Sequence, residues 1–242
     1  LIERDFHDSG FRGVRGGYLD PETSIYGDEK NLYLGKNSSI ESYVVLDVRG
    51  GPIYIGEDVE IHSHTRISGP AYIGENSRIY SALIREGTNI GPSCRVGGEV
   101  SESILHGFVN KYHSGYVGHS YVCEWVNIGA GTFVSDLKNT YGTVKVQLGG
   151  RKIDTKLMKV GCFIADHSKL SIGTNVYSGK TIGFCSHIHG LVTENVPSFT
   201  IWAKSLGIDP VELRLESAIK TARVVYGRRA VSYTHLRAHA TR

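Results

Sequence analysis

The sequence predicts an all-β fold, a parallel β-helix followed by one C-terminal α-helix, on three observations. Aliphatic residues recur at six-residue steps: Ile55, Ile61, Ile67, Ile73 and Ile79, then, after one five-residue step, Ile84, Ile90 and Val96. The step resumes at Ile164, Leu170, Val176, Ile182 and Ile188. Glycine is abundant at 30 residues and proline scarce at 6, which suits many tight corners in a regular structure rather than disorder. A period of six is neither the 3.6 of a helix nor the 2 of a simple strand. It fits a short strand and a corner with one inward aliphatic per face, three such units closing a triangular coil. Stacked coils then bury their aliphatics in a continuous ladder. Small or medium residues stand four positions after the ladder (Val59, Thr65, Ala71, Ser77, Leu83). The period alone leaves the hand of the coil open.

The elements follow in order. Residues 1–18 show no period and read as a linker or the remnant of a missing N-terminal domain. The first residue is Leu1 rather than a methionine, which reads as a fragment of a longer protein. The repeat is clear from Leu34, and the β-helix is placed at 19–196 with an inserted loop at 135–159. Within the insertion, TVKVQLGGRKIDTKL (143–157) alternates around Gly149-Gly150 and reads as a hairpin or long loop thrown out from a corner. Residues 197–230 form an extension and a helix. Asp209-Pro210 followed by Glu212 reads as the helix start. Val211, Leu215, Ile219, Ala222 and Val225 or Tyr226 then form the apolar side, expected against the end of the solenoid or a neighbouring subunit. The last residues, VSYTHLRAHATR (231–242), fit nothing before them and look like translated vector read-through, so His235 and His239 are set aside.

Composition narrows the function. The chain has 242 residues, 40% hydrophobic and 21% charged, as in an ordinary globular protein. With 27 basic and 24 acidic residues, the net charge of +3 does not point to nucleic acid. No apolar run approaches the roughly 20 residues that span a bilayer, and no signal peptide is visible. Cys94, Cys123, Cys162 and Cys185 form no CxxC pair and read as reduced, mostly buried thiols of a cytoplasmic protein.

The chemistry concentrates in KYHSGYVGHSYVCEWVNIGAGTFVSDLKNTYG (111–142), which gathers His113, Tyr116, Asn127, Asp136, Lys138 and Tyr141 among glycines. His62, His64, His187 and His189 alternate in pairs along short strands, which raises a zinc site. No carboxylate cluster supports one, and no metal is expected.

The ladder resembles the left-handed β-helix acyltransferases. Within them, His113, Tyr116 and Asn127-Ile128-Gly129-Ala130-Gly131 match the acetyltransferase domain of the bifunctional N-acetylglucosamine-1-phosphate uridyltransferase/glucosamine-1-phosphate acetyltransferase family. GGEVSES (97–103) and LKNTYGTVK (137–145) are closer to that family's sugar-nucleotidyltransferase-like relatives. The likeness covers about residues 34–230 as a fold and is motif-specific in 97–145. It implies a homotrimer that transfers acetyl from acetyl-CoA to the amine of an amino-sugar 1-phosphate. His113 would be the general base. Tyr116, Asn127, Asp136, Lys138 and Tyr141 would line the acceptor, with Arg95 and Lys111 as nearby positive charges. Acetyl-CoA would meet Ala130, Gly131, His167, Ser186 and Arg228, with Lys204, Lys220, Arg223 and Arg229 as further candidates for its 3′-phosphate. Magnesium would be needed only by a nucleotidyltransferase half absent from this chain. Asp166-His167 stands where a ladder aliphatic is expected. The family's second sugar-contacting Asn is Asp136 here, and its phosphate-holding Lys has no counterpart in Ser101-Glu102-Ser103. Those departures leave a second reading, a non-catalytic trimerisation and regulatory domain of a sugar-phosphate nucleotidyltransferase.

Overall fold

A computed structural model describes residues 1–14 and 16–229. The segment 231–242 lies outside the described residues, with His235 and His239. The chain winds as a β-solenoid whose coils each lay one short strand on three faces. The first face is a nine-stranded parallel sheet running from Gly13–Val14 to Thr181–Ile182. Its register places Leu34, Ile55, Ile73 and Ile90 over one another, then Leu105, Val122, Ile164 and Ile182. The second face stacks Ile40, Ile61, Ile79, Val96, Lys111, Ile128, Leu170 and Ile188, and the third stacks Leu46, Ile67, Ile84, Val100, Val117, Val134, Val176 and Val192.

These ladders form because a side chain inside a coil has nowhere else to go. Ile55, Ile73, Ile79 and Ile90 are fully buried, and the interior is one contiguous apolar core from Leu32 to Trp202. Backbone N–H groups on the faces reach the next coil, as Gly56 to the Ile73 carbonyl at 2.8 Å and Gly74 to Ile90 at 2.7 Å. Small interior hydroxyls clamp the corners: Ser38 donates to the Gly56 carbonyl at 2.6 Å and Ser77 to Gly91 at 2.9 Å. The five-residue step between Ile79 and Ile84 becomes one continuous strand, Arg78–Ile84, that turns from the second face to the third through an irregularity at Ser81. Ala82, rather than Leu83, is the buried residue there.

The ends differ from the expectation. The first coil already begins at Gly13, whose strand pairs with Leu32–Leu34. Before it, helix α1 (Ile2–Asp8) buries Phe6. At the other end, Asp209-Pro210 does not start a helix. Ile208–Glu212 is an outer strand antiparallel to Thr200–Ala203, where Pro210 has no ladder bond to lose. Helix α2 (Leu215–Gly227) starts later and lies along the flank of the solenoid rather than across its end. Its buried residues are Ala218, Ala222 and Tyr226, packed on Trp125, Phe108, Cys185 and Leu213, whereas Leu215 and Val211 stay exposed. Flat aromatic rings already stacked at one corner (Phe108 on Trp125 at 4.0 Å) offer α2 a better apolar bed than the end of the coil.

The insertion forms an antiparallel hairpin, Lys145–Leu148 with Arg151–Asp154. Gly149 and Gly150 turn at φ 56° and 76°, the two positive values a type I′ turn requires. Val144 and Val146 pack on Val160 and Phe163, so the hairpin leans on the first face. Among the described residues no helix is long and apolar enough to cross a membrane.

Candidate functional site

The corner between the second and third faces is built from small residues. Gly97-Gly98, His113-Ser114, Ala130-Gly131 and Ile172-Gly173 follow one another up this corner. The N–H of Gly131 donates to the Ser114 carbonyl at 2.9 Å, and that of Gly173 to Ala130 at 2.8 Å. Gly131 sits at φ 67° with no atom nearer than 3.9 Å to the place of a Cβ, so backbone lies open at this point of the column. His113 projects from it, exposed, its ring edge-on to Tyr112 at 4.8 Å. On one side runs the second-face row Arg78, Arg95, Asn110, Asn127, Lys169, His187. On the other runs the third-face row Glu99, Tyr116, Phe133, Asn175. His113, Tyr116 and Asn127 are therefore grouped around one corner, without direct contact among them.

Tyr116 belongs to a hydrogen-bonded chain. Its hydroxyl donates to Asp136 Oδ2 at 2.8 Å, and His119 Nδ1 meets the same oxygen at 2.6 Å. His119 Nε2 faces Glu102 Oε1 at 3.3 Å. Burial, and then the bond to Asp136, push the Tyr116 phenol well above its ordinary range, so it stays a donor. Asn127 accepts from the Asn110 amide at 2.8 Å.

The second-face row also walls a cleft of about 270 Å³ beneath α2, lined by Arg95, Asn110, Asn127, Lys169, Arg228 and Arg229. None of the four cations has an ion-pair partner among the described residues. Lys169 donates to the Trp125 carbonyl at 2.6 Å, and burial draws its ammonium down to about 8. Arg229 donates to the Ser93 carbonyl at 3.2 Å and is held below its usual value by burial and by the charge of Arg95. A half-buried cluster of like charges with two amides is suited to an anionic group.

Several expected residues are placed otherwise. Lys111 is not offered to an acceptor. It occupies a ladder position, 1% exposed, and donates to the carbonyls of Gly97 (2.6 Å), Gly115 (3.1 Å) and His113 (3.3 Å). A lysine on the inward side of a strand has only backbone oxygens to satisfy it. Ser186 is fully buried and donates to the Pro197 carbonyl at 2.7 Å, one of the corner clamps rather than a groove residue. Asp166-His167 does not replace a ladder aliphatic, because Ile164 and Leu170 hold the ladder. Asp166 accepts from the Glu124 N–H at 2.7 Å, and His167 stands in the aromatic corner beside Trp125, its Nε2 3.4 Å from the Tyr226 hydroxyl. Lys138 and Tyr141 belong to the turn that leads into the hairpin, where the Tyr141 N–H meets the Lys138 carbonyl at 2.9 Å and the Tyr141 side chain is exposed. Lys204 pairs with Glu194 at 3.0 Å, and Lys220 and Arg223 are on the exposed side of α2.

Among the described residues no three His, Cys, Asp or Glu side chains gather as a metal site. His62 is bound to Glu41 at 2.9 Å, and His64 stacks on Tyr43. The residues missed from sequence are His119, Asn110 and Lys169. One coil separates Glu102 from His119, and that spacing was a usable signal. The insertion hid the equivalent spacing between Asn127 and Lys169.

No protein-family model matches the chain. Among curated proteins, the bifunctional sugar-1-phosphate nucleotidylyltransferase/acetyltransferase of Sulfurisphaera tokodaii is 36% identical over 168 residues, 66% of this chain and 40% of that protein. The bifunctional protein GlmU of Thermotoga petrophila is 26% identical over 201 residues, 76% of this chain and 41% of that protein. Among solved structures, the UDP-N-acetylglucosamine acyltransferase of Francisella novicida aligns with 93% of this chain and 76% of that chain at 15% identity and a TM-score of 0.44. The chain spans about two fifths of the length of these two curated relatives. It is, over most of its own length, a homologue of the bifunctional sugar-1-phosphate nucleotidylyltransferase/acetyltransferases and GlmU proteins.

Proposed function

We propose that this chain carries an acyl-CoA-dependent N-acyltransferase site that moves acetyl from acetyl-CoA to the amine of an amino-sugar 1-phosphate, in nucleotide-sugar biosynthesis. The observation that carries this reading is His113, an exposed imidazole on an open backbone corner between the rows of Tyr116 and Asn127. An amine attacks a thioester only once it has lost a proton, and a histidine of near-neutral pKa is the suitable acceptor. The amine nitrogen bonds to the acyl carbon, the carbon–sulfur bond breaks, and the proton taken by His113 passes to the departing thiolate. The bare column of Ala130 and Gly131 leaves room for a narrow pantetheine arm. Asn110, Asn127 and the four cations of the cleft suit the anionic parts of the two substrates, with Arg228 on the coenzyme side. The relatives' names support acetyl transfer, and the reading takes the protein as a homotrimer of the cytoplasm.

The test is thiol release from acetyl-CoA with glucosamine 1-phosphate and then galactosamine 1-phosphate, wild type beside His113→Ala. The expected result is turnover that falls by about 100-fold or more in the variant. Absence of turnover with either sugar from a folded trimer would replace this reading with assembly and regulation of a nucleotidyltransferase.

A further inference from the structure

We propose that His119 is a positioning residue for the acyl acceptor. With Tyr116 it fixes the Asp136 carboxylate so that the free oxygen, Oδ1, receives a hydroxyl of that acceptor and not a phosphate. This rests on the acyltransferase reading and deepens it.

Tyr116 Oη and His119 Nδ1 both converge on Asp136 Oδ2, at 2.8 and 2.6 Å. A carboxylate oxygen gripped by two donors cannot rotate without losing both, so the plane of Asp136 is set. Oδ1 has no hydrogen-bond partner among the described residues, and the side chains of Asp136 and His119 are only 12% and 14% exposed. Poor screening strengthens any donor that reaches Oδ1. On the other edge of the ring, His119 Nε2 stands 3.3 Å from Glu102 Oε1. Asp136 is also anchored through its backbone, whose carbonyl accepts from the Val160 N–H at 2.8 Å and closes the neck of the hairpin. Gly118 makes the arrangement sterically possible, because a Cβ there would stand 2.1 Å from Tyr116 Oη and 2.6 Å from Asp136 Oδ2.

The chemistry of the unit selects its ligand. An amide at position 136 would offer both a donor and an acceptor, whereas a carboxylate only accepts. With Glu102 beside it, a phosphate is repelled here. The acceptor group met by Oδ1 is distinct from the amine that reacts at His113.

The experiment is steady-state kinetics with acetyl-CoA and glucosamine 1-phosphate for wild type, His119→Ala, His119→Asn, Tyr116→Phe and the His119→Ala/Tyr116→Phe double variant. Thermal denaturation of each is measured alongside. Asn places an N–H where Nδ1 stands and tolerates the positive φ of 47° at this position. The expected result is a KM for glucosamine 1-phosphate raised at least tenfold in His119→Ala, with the KM for acetyl-CoA unchanged. His119→Asn restores most of the loss, and the double variant loses less than the product of the single losses. An acceptor KM unmoved in His119→Ala, or both KM values rising together without rescue by Asn, overturns the positioning role while leaving acyl transfer standing. Absence of turnover in the wild type overturns both.

Discussion

Gly118 shows how one missing side chain holds this site together. The Tyr116 hydroxyl fills the volume in which a Cβ of residue 118 would lie, so Gly118→Ala must displace the phenol from Asp136. The predicted outcome is a folded protein, destabilised by about 1–3 kcal/mol as overpacked sites are. Its KM for the acceptor sugar rises roughly as far as in Tyr116→Phe, since both changes break the same bond. Kinetics and thermal denaturation of the two variants check this, and a Gly118→Ala enzyme with wild-type KM would show that the hydroxyl is not needed there. The motif His113, Tyr116, Asn127 was legible in the sequence because its members lie within one coil of each other. His119 was not, since its role appears only when Glu102, one coil before, and Asp136, one coil after, close on it. Lys111 was misread for a related reason. The coil before it is shortened, because its inward residues run Val96, Val100, Leu105 and Lys111, and that moved the inward phase onto a residue whose charge suggested the surface.

At the scale of elements, α2 and the hairpin are the two additions to the repeat, and they were legible to different degrees. The alternation around Gly149-Gly150 specified a hairpin because both positive φ angles need glycine. The helix was recognised but misplaced at both ends of the argument. Asp209-Pro210 carries a start signal that strand pairing with Thr200–Ala203 overrides, and the apolar spacing could not reveal a docking bed made of rings from three different coils. Trp125 is the centre of that bed, 4.0 Å from Phe108 and 4.2 Å from Tyr226. Trp125→Ala is predicted to detach α2 from a solenoid that stays folded, because the core ladder does not include Trp125. Removing a buried Trp costs about 3–5 kcal/mol, enough to open a helix held by so few residues. Hydrogen exchange should quicken across 215–227 and stay slow in Leu105, Val122 and Ile164. With α2 goes one wall of the cationic cleft, so affinity for acetyl-CoA should fall as well. Slow exchange retained in α2 would show that Cys185 and Leu213 suffice to hold it.

The whole molecule is a stack of coils around one apolar ladder, and that much the six-residue step made plain, since few other structures bury one aliphatic in six. Its most unusual interior position is Lys111, standing between Val96 and Ile128 in the second-face ladder. Burial draws its ammonium from 10.5 to about 8, opposed in part by the charge of Glu99. Between those two pH values the unfolded chain still binds the proton and the folded chain does not, so the contribution of Lys111 to stability climbs as pH rises and is lost as pH falls back through the window. A displacement of that size corresponds to about 3 kcal/mol over the full window. Cysteine and tyrosine residues buried elsewhere titrate above pH 9 with the opposite sign, so the quantity to follow is the difference between wild type and Lys111→Met, in which they cancel. Chemical denaturation at pH 7.5, 9 and 10.5 should find that difference moving steadily in favour of the wild type, most steeply between 8 and 10.5. Lys169, displaced to about the same value, titrates in both proteins and leaves the difference untouched. Parallel pH profiles would mean that the three carbonyls of Gly97, His113 and Gly115 hold the charge without penalty. In that case Lys111 would stabilise the corner that carries His113 by the same amount at every pH.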